Sequence, residues 1–263
     1  MTTTTTGPGI RFRAARAIAA LMLREMTTRY GRSVGGYIWA IAEPIGAILL
    51  LSVGFSLVLR TPALGTSFLL FYATGYLPFN LYATLSGRVA RSIRYARGLL
   101  AYPEVSFIDA VLARFFLNTL TQCLVFYLLV AGILAVIDTR AVIALGPILT
   151  SLSITALLGF GVGVTNCYLF AIFPVWEQVW TIVTRPLFLA SGIFYLHEDL
   201  PRIAQDILWF NPIAHLVGIM RRGFYPTYDA AWASALYPLG VALSLSAIGL
   251  LLLRRYHRRV LNA

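Results

Sequence analysis

Residues Ala230 to Leu253 read AAWASALYPLGVALSLSAIGLLLL, 24 positions without a charge, and Arg254-Arg255-Tyr256-His257-Arg258-Arg259 follows immediately. About 20 mostly apolar residues, coiled as an α-helix, cross the hydrocarbon core of a bilayer. Basic residues crowded at one end of such a run favour the cytoplasmic side. The stretch therefore reads as a membrane-spanning helix, and the rest of the chain agrees with it. Hydrophobic residues make up 59% of the 263 and charged residues 12%, with a mean hydropathy of +0.79. A water-soluble domain carries about a quarter charged residues, so half the usual solvating groups are missing. The 21 basic residues, all arginine, against 10 acidic ones give a net charge of +11. Alone, that excess suggests nucleic acid; in so apolar a chain, anionic lipid headgroups are the better match, and no nucleic-acid partner is expected.

Five further apolar runs precede this one. They cover about Tyr37–Leu59, Ser67–Ser86, Ala110–Ile137, Val142–Phe173 and Val179–Leu196, giving an all-α integral membrane protein with six transmembrane helices. Residues 1–9, a threonine tract ending in Gly-Pro-Gly, read as a disordered tail without the features of a signal peptide. Residues 10–32 read as an N-terminal amphipathic helix: Arg13, Arg16 and Arg24 share one side, and Ile18, Met22 and Met26 fall on another. That pattern suits a helix lying in the membrane interface. With an even number of spans, fourteen arginines share the side of the two termini and five lie opposite, so both termini are expected in the cytoplasm.

Within the domain of residues 33–263, two connections are too long for turns. The cytoplasmic loop 87–109 carries Arg88, Arg91, Arg94 and Arg97 at three-residue spacing, then Leu99-Leu100-Ala101-Tyr102-Pro103-Glu104. Arginines every third residue line one flank of a helix. The apolar and aromatic residues after them suit docking to a soluble partner, although a plain positive loop would explain the arginines alone. The outer-face loop 197–229 holds two sub-spanning apolar segments parted by Asn211-Pro212, as expected of interfacial or re-entrant helices.

Chemistry is sparse. A chain without lysine has no G-x-x-x-x-G-K-[ST] phosphate loop and does not hydrolyse ATP by that mechanism. Gly159-x-Gly161-x-Gly163 lies inside an apolar run, and the spacing of Gly159 and Gly163 suits close helix packing. Glu43, Asp109, Arg114, Glu177 and Arg185 are ionisable near or within the spans but form no catalytic spacing, and no metal site is expected. Cys123 and Cys167 stand alone as small hydrophobes. Tyr72, Tyr76 and Phe79 share one face of the second span. They either offer a stacking surface to a passing sugar chain or pack against a neighbouring helix.

The stretch Arg29-Tyr30-Gly31-Arg32-Ser33-Val34-Gly35-Gly36-Tyr37-Ile38-Trp39-Ala40-Ile41-Ala42-Glu43-Pro44 resembles the permease subunit of bacterial ABC-2-type polysaccharide exporters, above all the capsular polysaccharide export permeases. Leu100 to Asp109 and Phe210 to Leu216, with Arg221 and Tyr225-Pro226, carry the same resemblance. It implies a homodimer in the bacterial inner membrane, driven by two copies of a separate ATPase subunit that binds ATP and Mg. A periplasmic or membrane-spanning export partner and a lipid-linked polysaccharide substrate are implied as well. By the same resemblance Arg94, Arg97, Leu99, Leu100, Tyr102, Pro103 and Glu104 form a coupling helix seated in the ATPase. Arg29, Tyr30, Arg32, Tyr37, Trp39 and Glu43 take up substrate, Tyr72, Tyr76 and Phe79 line the path, and His197, Asn211, Pro212, His215 and Arg221 guard the outer gate. O-antigen, teichoic acid or small lipophilic cargo, and a membrane transferase acting on lipid-linked sugars, are the alternatives.

Overall fold

The glycines of one helix set the centre of the bundle. The computed structural model describes residues 10–30, 36–98, 100, 106–137 and 143–262. Among them the chain forms ten α-helices and no strand: α1 (Ile10–Tyr30), α2 (Gly36–Ser56), α3 (Phe68–Ala90), α4 (Ser92–Ala96), α5 (Phe107–Val136), α6 (Leu145–Ile172), α7 (Pro174–Leu189), α8 (Arg202–Trp209), α9 (Pro212–Arg222) and α10 (Leu236–Asn262), with a 3-10 turn at His197–Asp199. Helix α6 lies between α3 and α10. A Cβ on Gly159 would stand 2.8 Å from Leu85 Cβ, and one on Gly163 2.6 Å from Val89 Cβ, so both glycines press against α3. Gly161 faces the other way, where a Cβ would meet the Ala242 carbonyl at 2.7 Å. Gly249 of α10 returns the approach: a Cβ there would stand 2.7 Å from the Thr165 amide nitrogen. In a bilayer such small-residue contacts replace the missing hydrophobic drive between helices.

Polar side chains join the same helices. Ser151 donates to the Leu216 carbonyl at 2.7 Å, Thr165 to that of Leu245 at 3.0 Å, and Gln122 of α5 to Thr84 of α3 at 3.2 Å. Pro44, Pro78 and Pro186 each sit inside a helix, as membrane helices tolerate.

Among the described residues, four helices are long and apolar enough to cross a membrane: Ile38–Ser56, Phe107–Val136, Leu145–Ile172 and Leu236–Tyr256. Helix α3 is of similar length, with 23 residues, but more polar and largely buried. Helix α7, with 16 residues, spans about 24 Å, less than the roughly 30 Å hydrocarbon core. The expected boundaries shift at two places. The last helix starts at Leu236, because residues 230–235 turn first with Ala230 in the left-handed region (φ 44) and Ala233 bonded back to its carbonyl. The fifth begins at Pro174, whose missing N–H costs nothing in a first turn, and stops at Leu189.

Candidate functional site

Arginines gather at one end of the bundle, where α3 stops, α4 turns, α5 and α7 start and α10 finishes. The Ser106 side chain accepts from the α5 N-terminus while Asp109 accepts from the Ser106 N–H at 2.9 Å, a reciprocal cap that makes Asp109 a helix-starting residue. One turn on, Arg114 is buried against α1. Its Nε donates to Glu25 Oε2 at 3.2 Å and stands 3.1 Å from Oε1, which gains charge contact but no aligned hydrogen bond. Its Nη1 donates to the Arg88 carbonyl at 3.1 Å, and the guanidinium lies 4.1 Å over the Tyr95 ring. The Tyr95 hydroxyl is 2.8 Å from Thr28 Oγ1, so α1, α3, α4 and α5 meet in one joint.

A second joint binds α4 to α7. Glu177, in the first turn of α7, receives Arg91 Nε and Arg94 Nη2, each at 2.8 Å. The Arg94 hydrogen bond, with that of Arg91, holds the Glu177 carboxyl below the usual carboxylate range despite partial burial. Arg94 and Arg97 line a hollow of about 260 Å³ with Cys167, Glu177 and Val260. Leu100 packs with Phe107 on the apolar cluster around Val111 and Leu253. Leu99, Tyr102, Pro103 and Glu104 lie outside the described residues, and the helix found in this loop, α4, precedes the expected Arg97–Glu104 segment.

Of the residues assigned to substrate uptake, Arg32 lies outside the described residues, and Arg29, Tyr30 and Tyr37 are described as backbone only. Trp39 is 70% exposed on α2, and Glu43 is exposed on the same helix without an ion pair among the described residues. Tyr72 and Phe79 are buried inside the protomer, and Tyr76 is half-buried. Tyr72 meets Phe55 of α2 at 5.3 Å between ring centres, and Phe79 meets Phe188 of α7 at 5.0 Å. The stripe thus fills the seam between helices.

The open space lies beside it. A groove of about 610 Å³ runs along α3 and α7, lined by Ala83, Ser86, Gly87, Trp180, Thr181, Thr184, Arg185, Phe188 and Leu189. Gly87 also lines a second groove, of about 520 Å³, walled by Glu25, Arg88, Arg91, Arg94 and Arg114. Sequence reading passed over the α7 wall, although Trp180, Thr184 and Phe188 recur every fourth residue, as do Thr181 and Arg185.

At the opposite end, the residues assigned to the gate are packed together. Asn211 caps α9 through Oδ1, 3.0 Å from the Ile213 N–H, and donates from Nδ2 to the Ala190 carbonyl at 2.9 Å; Pro212 takes the first helical position. His215 is fully buried. Its Nδ1 accepts the Ser234 N–H at 3.1 Å, which assigns the proton to Nε2, donated to the Trp209 carbonyl at 2.7 Å. Burial pushes its pKa down and keeps it neutral. The His197 ring stacks on Trp232 at 4.0 Å. Arg221, counted as a loop charge in the sequence, is 2% exposed. It donates to the carbonyls of Tyr195 at 2.9 Å and Ile193 at 3.0 Å and lies 4.2 Å over the Phe71 ring. Burial lowers its pKa to about 10, so it stays charged at neutral pH. No cluster of three metal-ligating residues occurs among the described residues.

A profile of the ABC-2 type transporter family matches residues 16–225. The chain is 29% identical over 246 residues to the polysialic acid transport protein KpsM of Escherichia coli, covering 94% of this chain and 95% of that protein. It is 27% identical over 253 residues to the capsule polysaccharide export inner-membrane protein CtrC of Neisseria meningitidis serogroup A, covering 93% and 92%. The capsule polysaccharide export inner-membrane protein BexB of Haemophilus influenzae is 27% identical over 247 residues, with the same shares covered.

Proposed function

This chain belongs to the ABC-2 type transporter family, and on that footing we propose that it is the membrane subunit of an exporter of lipid-linked capsular polysaccharide. The polymer moves from the cytoplasm across the inner membrane, through a homodimer of this chain, and a separate pair of ATPase subunits binds and hydrolyses ATP with Mg. The observation that carries this reading is the near end-to-end likeness to capsule export inner-membrane proteins, over 92–95% of their lengths. The lack of any lysine, and so of a phosphate-binding loop, supports an ATPase on another chain. Fourteen arginines on one side against five support cytoplasmic termini, and with them a cytoplasmic position for the charged end of the bundle.

The segment from Arg94 to Glu104 receives the ATPase. A push there is handed to α7 through Glu177 and to α1 and α5 through Tyr95 and Arg114. Arg29, Arg32 and the neighbouring Tyr30, Tyr37, Trp39 and Glu43 receive the anionic lipid-linked end at the interface. Tyr76, the half-buried member of the aromatic stripe, borders the path that Tyr72 and Phe79 support from within, and the packed residues around His215 and Arg221 close the outer end. An export partner continues the route outside.

The deciding experiment deletes the gene in an encapsulated host and locates the polymer. Polymer trapped inside the cell supports export; loss of polymer everywhere, or normal surface polymer, refutes it. Leu100→Asp in the reconstituted complex tests coupling, with ATP hydrolysis and export both expected to fall; unchanged values refute the coupling assignment.

A further inference from the structure

Arg185 stands eight residues beyond Glu177 on α7, about 12 Å further from the charged end. It is exposed on the wall of the α3–α7 groove and makes no ion pair or hydrogen bond among the described residues. An arginine at membrane depth is costly, and one that persists faces a partner or a water-filled path. The groove supplies no carboxylate: its lining is Ala83, Trp180, Phe188 and Leu189 with the hydroxyls of Ser86, Thr181 and Thr184. Those hydroxyls give their protons to the carbonyls of Ala83, Glu177 and Trp180, which leaves their oxygens as acceptors for sugar hydroxyls. Trp180 adds a flat apolar face, and the guanidinium adds a fork of donors shaped for a carboxylate or phosphate. Gly87 also lines the second groove, whose wall carries Arg88, Arg91 and Arg94 beside Glu25, with Arg91 and Arg94 held by Glu177.

We propose that Arg185 binds an anionic oxygen group of the transported chain, a sugar carboxylate or the phosphate of its lipid anchor, as the chain passes along the α3–α7 groove. The assignment rests on the export reading.

The test uses the full complex with its ATPase in phosphatidylcholine nanodiscs. Three probes are titrated: a fluorescein-labelled sialic acid oligomer, a short-chain phosphatidylglycerol and a neutral glucose oligomer of matched length. The sialic acid oligomer, the phosphatidylglycerol, or both bind better than the neutral chain. Arg185→Ala weakens that binding about tenfold, the loss expected for one charged hydrogen-bonding group, and Arg185→Lys retains part of it. Loss for the oligomer alone assigns a carboxylate, and loss for the lipid alone assigns a phosphate. Because Arg185 is exposed, both variants are expected to keep the parent's size-exclusion profile and unfolding midpoint. Equal binding by parent and Arg185→Ala overturns the proposal, as does a parent that prefers neither anion. It is also overturned if an Arg185→Glu defect is relieved by Glu43→Arg, which would make the partner group Glu43 of a second copy. The export reading is judged separately, by polymer location in the deletion host, so failed anion binding with intact export removes only the Arg185 assignment.

Discussion

Replacing Arg114 by methionine strips the buried joint of its cation while keeping most of the side-chain volume. Glu25 is 5% exposed and has no other cation within reach among the described residues. Removing one partner of a buried pair costs about 3–5 kcal/mol, because the remaining charge is desolvated and unpaired. The bond to the Arg88 carbonyl and the contact with the Tyr95 ring are lost in the same step and overlap with that figure. At roughly 2–4 °C per kcal/mol for a chain of this size, Arg114→Met is expected to lower the unfolding midpoint by about 6–20 °C. Thermal unfolding in one detergent, followed by tryptophan fluorescence, measures it. Glu25→Leu alone is also expected to destabilise, since it strands Arg114. The double variant removes both charges and is expected within about 2 kcal/mol of the parent, giving a coupling energy above about 2 kcal/mol. Strict additivity of the two single effects would refute the pair as the source of stability.

Three other outcomes are expected. Gly163→Leu, whose Cβ would stand 2.6 Å from that of Val89, is expected to yield little monodisperse protein, whereas Gly132→Ala, with no atom within 4 Å, is expected to be tolerated or slightly stabilising on the same chromatographic measure. His215 is held neutral below its ordinary pKa of 6.5, so the unfolded chain takes the proton first; its stabilising contribution is complete above about pH 6.5 and is lost as pH falls toward the lowered folded value. His215→Gln is expected to flatten that slope in unfolding midpoints taken between pH 5 and 8, and an unchanged slope refutes the assignment. Glu177→Gln breaks two partly exposed pairs worth about 0–1 kcal/mol each, so stability is expected to hold while surface polymer falls; normal export by this variant removes Glu177 from the coupling route.

Hydrophobic runs made the helical architecture readable because bilayer thickness sets both length and composition. Helices α5 and α6 are therefore close to their expected extents, whereas α10 starts six residues later than expected, after the turn at residues 230–235, and runs on through the arginines to Asn262. Asn211-Pro212, read as the break between two apolar segments, does part α8 from α9, and the structure adds that it is the cap and first-turn proline of α9. Long-range pairing was not readable. Nothing in the sequence joins Glu25 to Arg114, 89 residues away, or Arg91 to Glu177, 86 residues away. Arg221 looked like a loop charge because its acceptors are backbone carbonyls, which carry no sequence signature. The aromatic stripe was read on the right face of α3, yet a face does not reveal whether a neighbour or a lumen covers it. Here Phe55 and Phe188 cover it.

The two joints at the charged end differ in strength, and the difference bears on how a push is transmitted. Helix α6, gripped by α3 through Gly159 and Gly163 and by α10 through Gly161, has no slack, since even a single added Cβ at any of the three would stand under 3 Å from a neighbouring atom. Close-packed slabs of this kind move as units rather than deform. The Glu25–Arg114 joint, buried and costly to break, suits a fixed attachment of α1 to that slab. The Arg91 and Arg94 bonds to Glu177 have side chains 47% and 63% exposed on the arginine side and cost little to exchange. They hold α7, a helix with no buried residue, at the edge of the α3–α7 groove. A displacement of α4 by the ATPase would therefore be resisted at α1 and yielded at α7. On the export reading proposed above, the groove that carries Arg185 would be the part of the protomer whose width follows the nucleotide cycle.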